Sequence, residues 1–102
     1  MEKQCFYFQL TPPRASFVQD MTADERALMA KHAAYFADLF ATGKLLIYGP
    51  VLASLGPFGM AVLEVADEAE AQQICESDPT IRAGLNSFSI SPMKVAAARA
   101  RS

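Results

Sequence analysis

Between two short apolar strands this chain must carry one long helix, and that placement restricts the possible folds more than any other feature. Thr22-Ala23-Asp24-Glu25 is a capping box: the Thr22 hydroxyl can accept from the third helical amide while Glu25 reaches back to the cap amide. The helix predicted from Ala23 to Thr42 is stopped by Gly43, the residue that most readily takes the left-handed terminating conformation. Ahead of it, Cys5 to Leu10 is aromatic-rich and reads as a strand, ended by Thr11-Pro12-Pro13. Arg14 to Met21 reads as a loop. Behind it, Lys44 to Tyr48 reads as a second strand ended by Gly49-Pro50, and Val51 to Phe58 reads as a loop.

The second half repeats the pattern. Gly59 to Val65 is predicted as a strand, and Asp67-Glu68-Ala69-Glu70 opens a helix to about Ser77. Asp78-Pro79 reads as a cap and first residue of a short turn closed by Gly84, and Asn86 to Val95 as the last strand. Ala96 to Ser102 has neither turn nor core signal, so a single domain over residues 1–95 with a flexible tail at 96–102 is expected. The order strand, helix, strand, strand, helix, strand predicts an α+β, ferredoxin-like domain. Two right-handed crossovers would put both helices on one face of an antiparallel sheet.

The other sheet face should not be bare. Phe6, Phe8 and Leu10 alternate with Cys5, Tyr7 and Gln9, and Phe88 and Ile90 with Ser87, Ser89 and Ser91. The segment Leu45 to Tyr48, however, is apolar on both sides, which a strand with one wet face should not be. A second copy of the chain in a two-fold homodimer is the simplest cover.

Composition removes several function classes. With 52% hydrophobic and 20% charged residues the chain is globular, and its net charge of −2 lacks the basic surface that nucleic-acid binding needs. The longest apolar stretch is broken at Gly49-Pro50, well short of the roughly 20 residues that cross a bilayer, so no membrane partner is expected. Met1-Glu2-Lys3-Gln4 carries no signal-peptide pattern, and a cytoplasmic location is expected. Cys5 and Cys75 fall in a strand-like and a helix-like run and read as reduced packing residues. One histidine and scattered carboxylates make a poor metal site, and no serine stands in a nucleophile-elbow motif.

His32, the sole histidine, interrupts an apolar stripe. At about 100° per residue, Leu28, Met29, Tyr35, Phe36, Leu39 and Phe40 share its arc. Burying an unpartnered imidazole there would cost about 1–3 kcal/mol, so a polar partner or a polar cavity must meet it. One resolution is a core histidine bonded to a backbone carbonyl. The other is a carboxylate that fixes the tautomer for acid–base work. Asp78 is the preferred candidate, since its junction position can face the first helix while it still caps the following turn. Asp24 and Asp38 are rivals, although Asp38 lies off the stripe. Arg14 could clamp an anionic substrate group or pair with Asp20, and Tyr35, one turn beyond His32, could aim its hydroxyl at the same pocket or simply pack.

Several segments together resemble the YCII-related family. They are Arg14-Ala-Ser-Phe17, Asp20-Met-Thr-Ala-Asp-Glu25, Met29-Ala-Lys-His32, Tyr35, Gly43, Gly49-Pro50-Val51, Gly59, Glu64-Val65, Asp78-Pro79-Thr-Ile-Arg-Ala-Gly84 and Pro92-Met93. The resemblance spans roughly residues 3–95. It implies a ferredoxin-like fold that dimerises into an α/β barrel, and an active site built on a His–Asp pair, here His32 and Asp78. One branch of the family is associated with removing chloride from a chlorinated hydroxyhydroquinone without metal or organic cofactor. The expected function is therefore a cofactor-independent lyase, isomerase or dehydrohalogenase acting on a small aromatic or enolic molecule, with Arg14 and Tyr35 as substrate contacts. The alternative is a dimer that binds a small metabolite, or an accessory module, without turnover.

Overall fold

A computed structural model describes residues 2–100; Met1, Arg101 and Ser102 lie outside the described residues. In chain order the elements are β1 (Gln4–Thr11), α1 (Phe17–Asp20), α2 (Ala23–Ala41), β2 (Leu45–Val51), β3 (Phe58–Val65), α3 (Glu68–Glu76), α4 (Pro79–Arg82) and β4 (Ser87–Met93). The four strands form one antiparallel sheet in the order β2-β3-β1-β4. Each helical connection thus joins two parallel strands with a third lying between them, which is the ferredoxin-like arrangement predicted from the element order.

Register shows why one sheet face carries the helices. Phe6 pairs with Leu63, Phe8 with Ala61 and with Ile90, and Leu10 with Phe88, so large apolar side chains line up across strands on one face. Phe36 from α2 and Ala71 and Cys75 from α3 bury against them. The capping box forms as predicted: the Glu25 amide donates to the Thr22 hydroxyl and the Thr22 amide to the Glu25 carboxylate. Gly43 ends the helix with φ +82°, where a β-carbon would be strained.

Three boundaries differ from the sequence reading. β2 does not stop at Tyr48 but runs through Gly49-Pro50 to Val51, because β2 is an edge strand and a proline there need not donate to a neighbour. The loop expected from Arg14 contains α1, a single turn in which the Gln19 and Asp20 amides donate to the Ser16 carbonyl. The last strand, expected over Asn86 to Val95, runs from Ser87 to Met93, and residues 94–100 form no regular element, although Val95 is half-buried. Among the described residues no helix is long and apolar enough to cross a membrane.

Candidate active site

Asp78 is the residue on which the site is built. It caps α4 with an extended backbone (φ −60°, ψ 129°), and Pro79 at the first helical position holds that turn in shape. Its Oδ1 accepts from both the Thr80 amide and the Thr80 hydroxyl, each at 2.7 Å. Its Oδ2 hydrogen-bonds Nδ1 of His32. One carboxylate therefore performs both tasks that the sequence allowed it, capping and ring orientation. Asp78 is fully buried, which raises the energy of its charge, but the His32 ring and the Thr80 donors outweigh that and hold the carboxyl below its usual range.

An ionised carboxylate can only accept, so Nδ1 of His32 carries the proton in this bond and Nε2 is the ring nitrogen left over. The imidazole leans on the Phe36 ring, with centroids 4.4 Å apart, and its side chain is 16% exposed. What it is exposed to is a cavity of about 330 Å³ between α2 and the sheet. Phe8, Phe36 and Tyr48 form part of the wall, and Met29 and Ala33 flank His32 on the helix. The stripe on α2 is accordingly not a continuous packed face. Phe36 alone is buried; Leu28, Met29, His32, Tyr35 and Leu39 are half-buried, and Phe40 is exposed. The reason is that part of the arc borders this hollow rather than a neighbouring side chain.

Arg14 and Tyr35, the two expected substrate contacts, are not brought to the cavity wall. The Arg14 guanidinium forks onto Glu25 (2.7 and 2.9 Å) and also binds the Asp20 side chain at 2.8 Å, so it ties α1 to the start of α2. The Glu25 and Asp20 bonds hold its proton more firmly than usual, while Arg14 and the Thr22 amide pull Glu25 down to about 2. Tyr35 turns its hydroxyl to the Ile74 carbonyl at 2.7 Å and clamps α2 to α3; burial raises its phenol above the usual value. Asp24 and Asp38 are both exposed. Cys5 and Cys75 are free thiols, and burial together with the nearby Asp78 charge pushes Cys75 up to about 12, so it is unreactive.

A profile of the YCII-related domain matches residues 6–94. The chain belongs to the YCII-related family. A comparison with curated proteins found no match. Among solved structures, this YCII-related chain is similar to 5-chloro-2-hydroxyhydroquinone dehydrochlorinase from Burkholderia phenoliruptrix AC1100, determined in complex with 2,5-dihydroxybenzoquinone. The TM-score is 0.65 at 22% identity, covering 87% of this chain and 93% of that one. A likeness at that identity establishes a common fold and no more.

Two cavity residues were not singled out from the sequence. Tyr48 stands in β2 and meets the Phe36 ring edge-on at 5.9 Å. Asn86 immediately precedes β4, is 6% exposed and borders the cavity beside Met29. A signal for Asn86 was present: counting in steps of two it falls in line with Phe88 and Ile90, a polar residue in register with a core face.

Proposed function

We propose that this protein is a cofactor-independent acid–base enzyme of the lyase, isomerase or dehydrohalogenase type, acting on a small aromatic or enolic molecule. One observation carries the reading: a fully buried carboxylate engages one nitrogen of the sole histidine, leaving the other for an apolar cavity of substrate size. In this reading His32 Nε2 takes a proton from a hydroxyl or acidic carbon of the substrate, and Asp78 holds the ring and balances the imidazolium charge. The freed electron pair moves into the conjugated system. If the proton returns at a different atom the product is an isomer; if chloride leaves with its bonding pair the net loss is HCl. Arg14 and Tyr35 have their polar groups committed to the scaffold and are given no part in this chemistry. Among the described residues no cluster of three His, Cys, Asp or Glu side chains placed to hold a metal ion occurs.

Support from relatives is of the same kind. The dehydrochlorinase with the similar fold acts on a hydroxylated, chlorinated ring, a molecule that an oriented imidazole can deprotonate. The test is to incubate the purified protein in D₂O with EDTA and a panel of chlorinated hydroxyhydroquinones and enolisable cyclic ketones. Chloride release, or deuterium entering an enolisable carbon above the buffer rate, is expected with at least one. Absence of both across the panel, with tight binding of some member, would leave a binding protein in place of an enzyme.

The assembly belongs to the same proposal. On the sheet face away from the helices, Leu46, Ile47 and Met93 are exposed at 40%, 57% and 40%, beside Cys5 and Tyr7. A second copy seated there would complete the α/β barrel that the family resemblance implies. Sedimentation equilibrium at micromolar concentration should return twice the 11.1 kDa chain mass; a clean monomer refutes the dimer without touching the site.

A further inference from the structure

We infer that Asn86 is a substrate-contacting residue, which accepts a hydrogen bond from a hydroxyl of an uncharged ligand while His32 engages a second one. The inference rests on the acid–base reading of the same cavity and adds the polarity of what fills it. Asn86 is more than nine-tenths buried on the cavity wall. Its Nδ2 donates to the Met29 sulfur at 3.4 Å, and its Oδ1 is the one buried side-chain polar atom among the described residues with no partner. The sulfur fixes which way the amide points: a thioether can accept weakly but has no proton to give, so the NH₂ must face it. The oxygen is thereby left over with almost no accessible surface, and it meets a ligand hydroxyl once the amide turns toward the cavity. Buried carbonyl oxygens without partners are rare in folded proteins, and one beside a cavity marks a place where a bound molecule can supply the missing donor.

The rest of the wall sets the charge of that molecule. No Lys, Arg, Asp or Glu lines the cavity. The nearest expected cation, Arg14, is committed to Asp20 and Glu25. A ligand carboxylate or phosphate would therefore lie against hydrocarbon without a counter-charge, which is strongly unfavourable. Phe8, Phe36 and Tyr48 offer ring faces and edges that suit a flat molecule. His32 Nε2 and Asn86 Oδ1 are both acceptors, so the complementary ligand presents two donors. A small neutral ring with two hydroxyl groups satisfies both. The terminal torsion of an asparagine side chain is broad, and the one side-chain hydrogen bond that Asn86 makes among the described residues is the weak one to sulfur, so Oδ1 can swing toward an arriving hydroxyl.

The experiment is an NMR titration of the full chain, read at the ring protons of its single histidine. The probes are phenol, the three dihydroxybenzenes, their mono-methyl ethers and 4-hydroxybenzoate. At least one dihydroxybenzene should bind about tenfold tighter than its methyl ether, which keeps the shape and loses one donor. In Asn86→Leu that advantage should shrink to within about twofold while phenol binding and the melting temperature hold. If no isomer outbinds its ether in the native protein, or Asn86→Leu keeps the advantage, the inference fails while a histidine signal that still moves with phenol preserves the catalytic reading. If 4-hydroxybenzoate binds as tightly as the neutral rings, the uncharged class is wrong. If no probe moves the histidine signal, the inference fails, and the catalytic reading stands or falls by the deuterium and chloride assay.

Discussion

His32→Asn should abolish most turnover, by about 10²–10⁴-fold, and leave the fold intact. The reasoning starts from Asp78 rather than from the histidine. Asp78 is fully buried and charged, held by Thr80 on one oxygen and by His32 on the other. His32→Ala would strand that second oxygen, and leaving a buried charged group without its hydrogen-bond partner costs on the order of 3 kcal/mol. An alanine variant could thus lose activity merely by unfolding. An asparagine amide stands roughly where Nδ1 does and can still donate to Asp78, so stability should stay within about 1 kcal/mol of native. It has no basic nitrogen to present to the cavity. A urea melt close to native, combined with the loss of deuterium exchange or chloride release, is the expected pair of results. Full activity in this folded variant would remove His32 from the chemistry.

How much of this could be read beforehand follows the reach of each physical cause. The element order was legible because local residues punctuate it: Thr22 and Glu25 open α2, Gly43 closes it, and Asp78-Pro79 with Gly84 brackets α4. What failed depended on neighbours. Proline within β2 is tolerable only because that strand lies at the sheet edge, and no local rule supplies strand order. Arg14 was read as a substrate clamp or as a partner of Asp20; it does bind Asp20, and the part that no local rule supplied is Glu25, 11 residues onward. Periodicity put His32 on the inward arc. Its partner stands 46 residues away, a separation that helix geometry cannot bridge; the junction position of Asp78 already favoured it over Asp24 and Asp38, and the family resemblance strengthened that choice. Asn86 escaped notice because a lone polar residue at the start of a strand usually marks a turn, and only the packed structure shows its oxygen without a partner.

Asp78→Asn separates orientation from charge and should be nearly as damaging as losing the histidine. An asparagine there can keep its oxygen on the Thr80 donors, so the cap survives; replacing a cap by alanine typically costs about 1 kcal/mol, and asparagine is itself a favoured cap. Its NH₂ would then face Nδ1 of His32. Two donors cannot share one bond, so the ring must present Nδ1 as acceptor and carry its proton on Nε2. The nitrogen facing the cavity becomes a donor, the wrong tautomer for taking a proton. In the serine-protease triad the same acid-to-amide change costs about 10⁴-fold, and a loss of 10²–10⁴-fold is expected here. Acid stability should change as well. The folded-state value of Asp78 lies below its unfolded value of about 3.9, so its contribution is fully present above that value and is lost as pH falls through the folded one. Urea midpoints measured from pH 6 down to pH 2 should therefore fall less steeply below about pH 4 in Asp78→Asn than in the native chain. Glu25 and Asp20, held low by Arg14 in both proteins, keep part of that slope. An unchanged acid limb would mean that the carboxylate is not stabilised by the ring and Thr80 in solution, and the tautomer argument would lose its foundation.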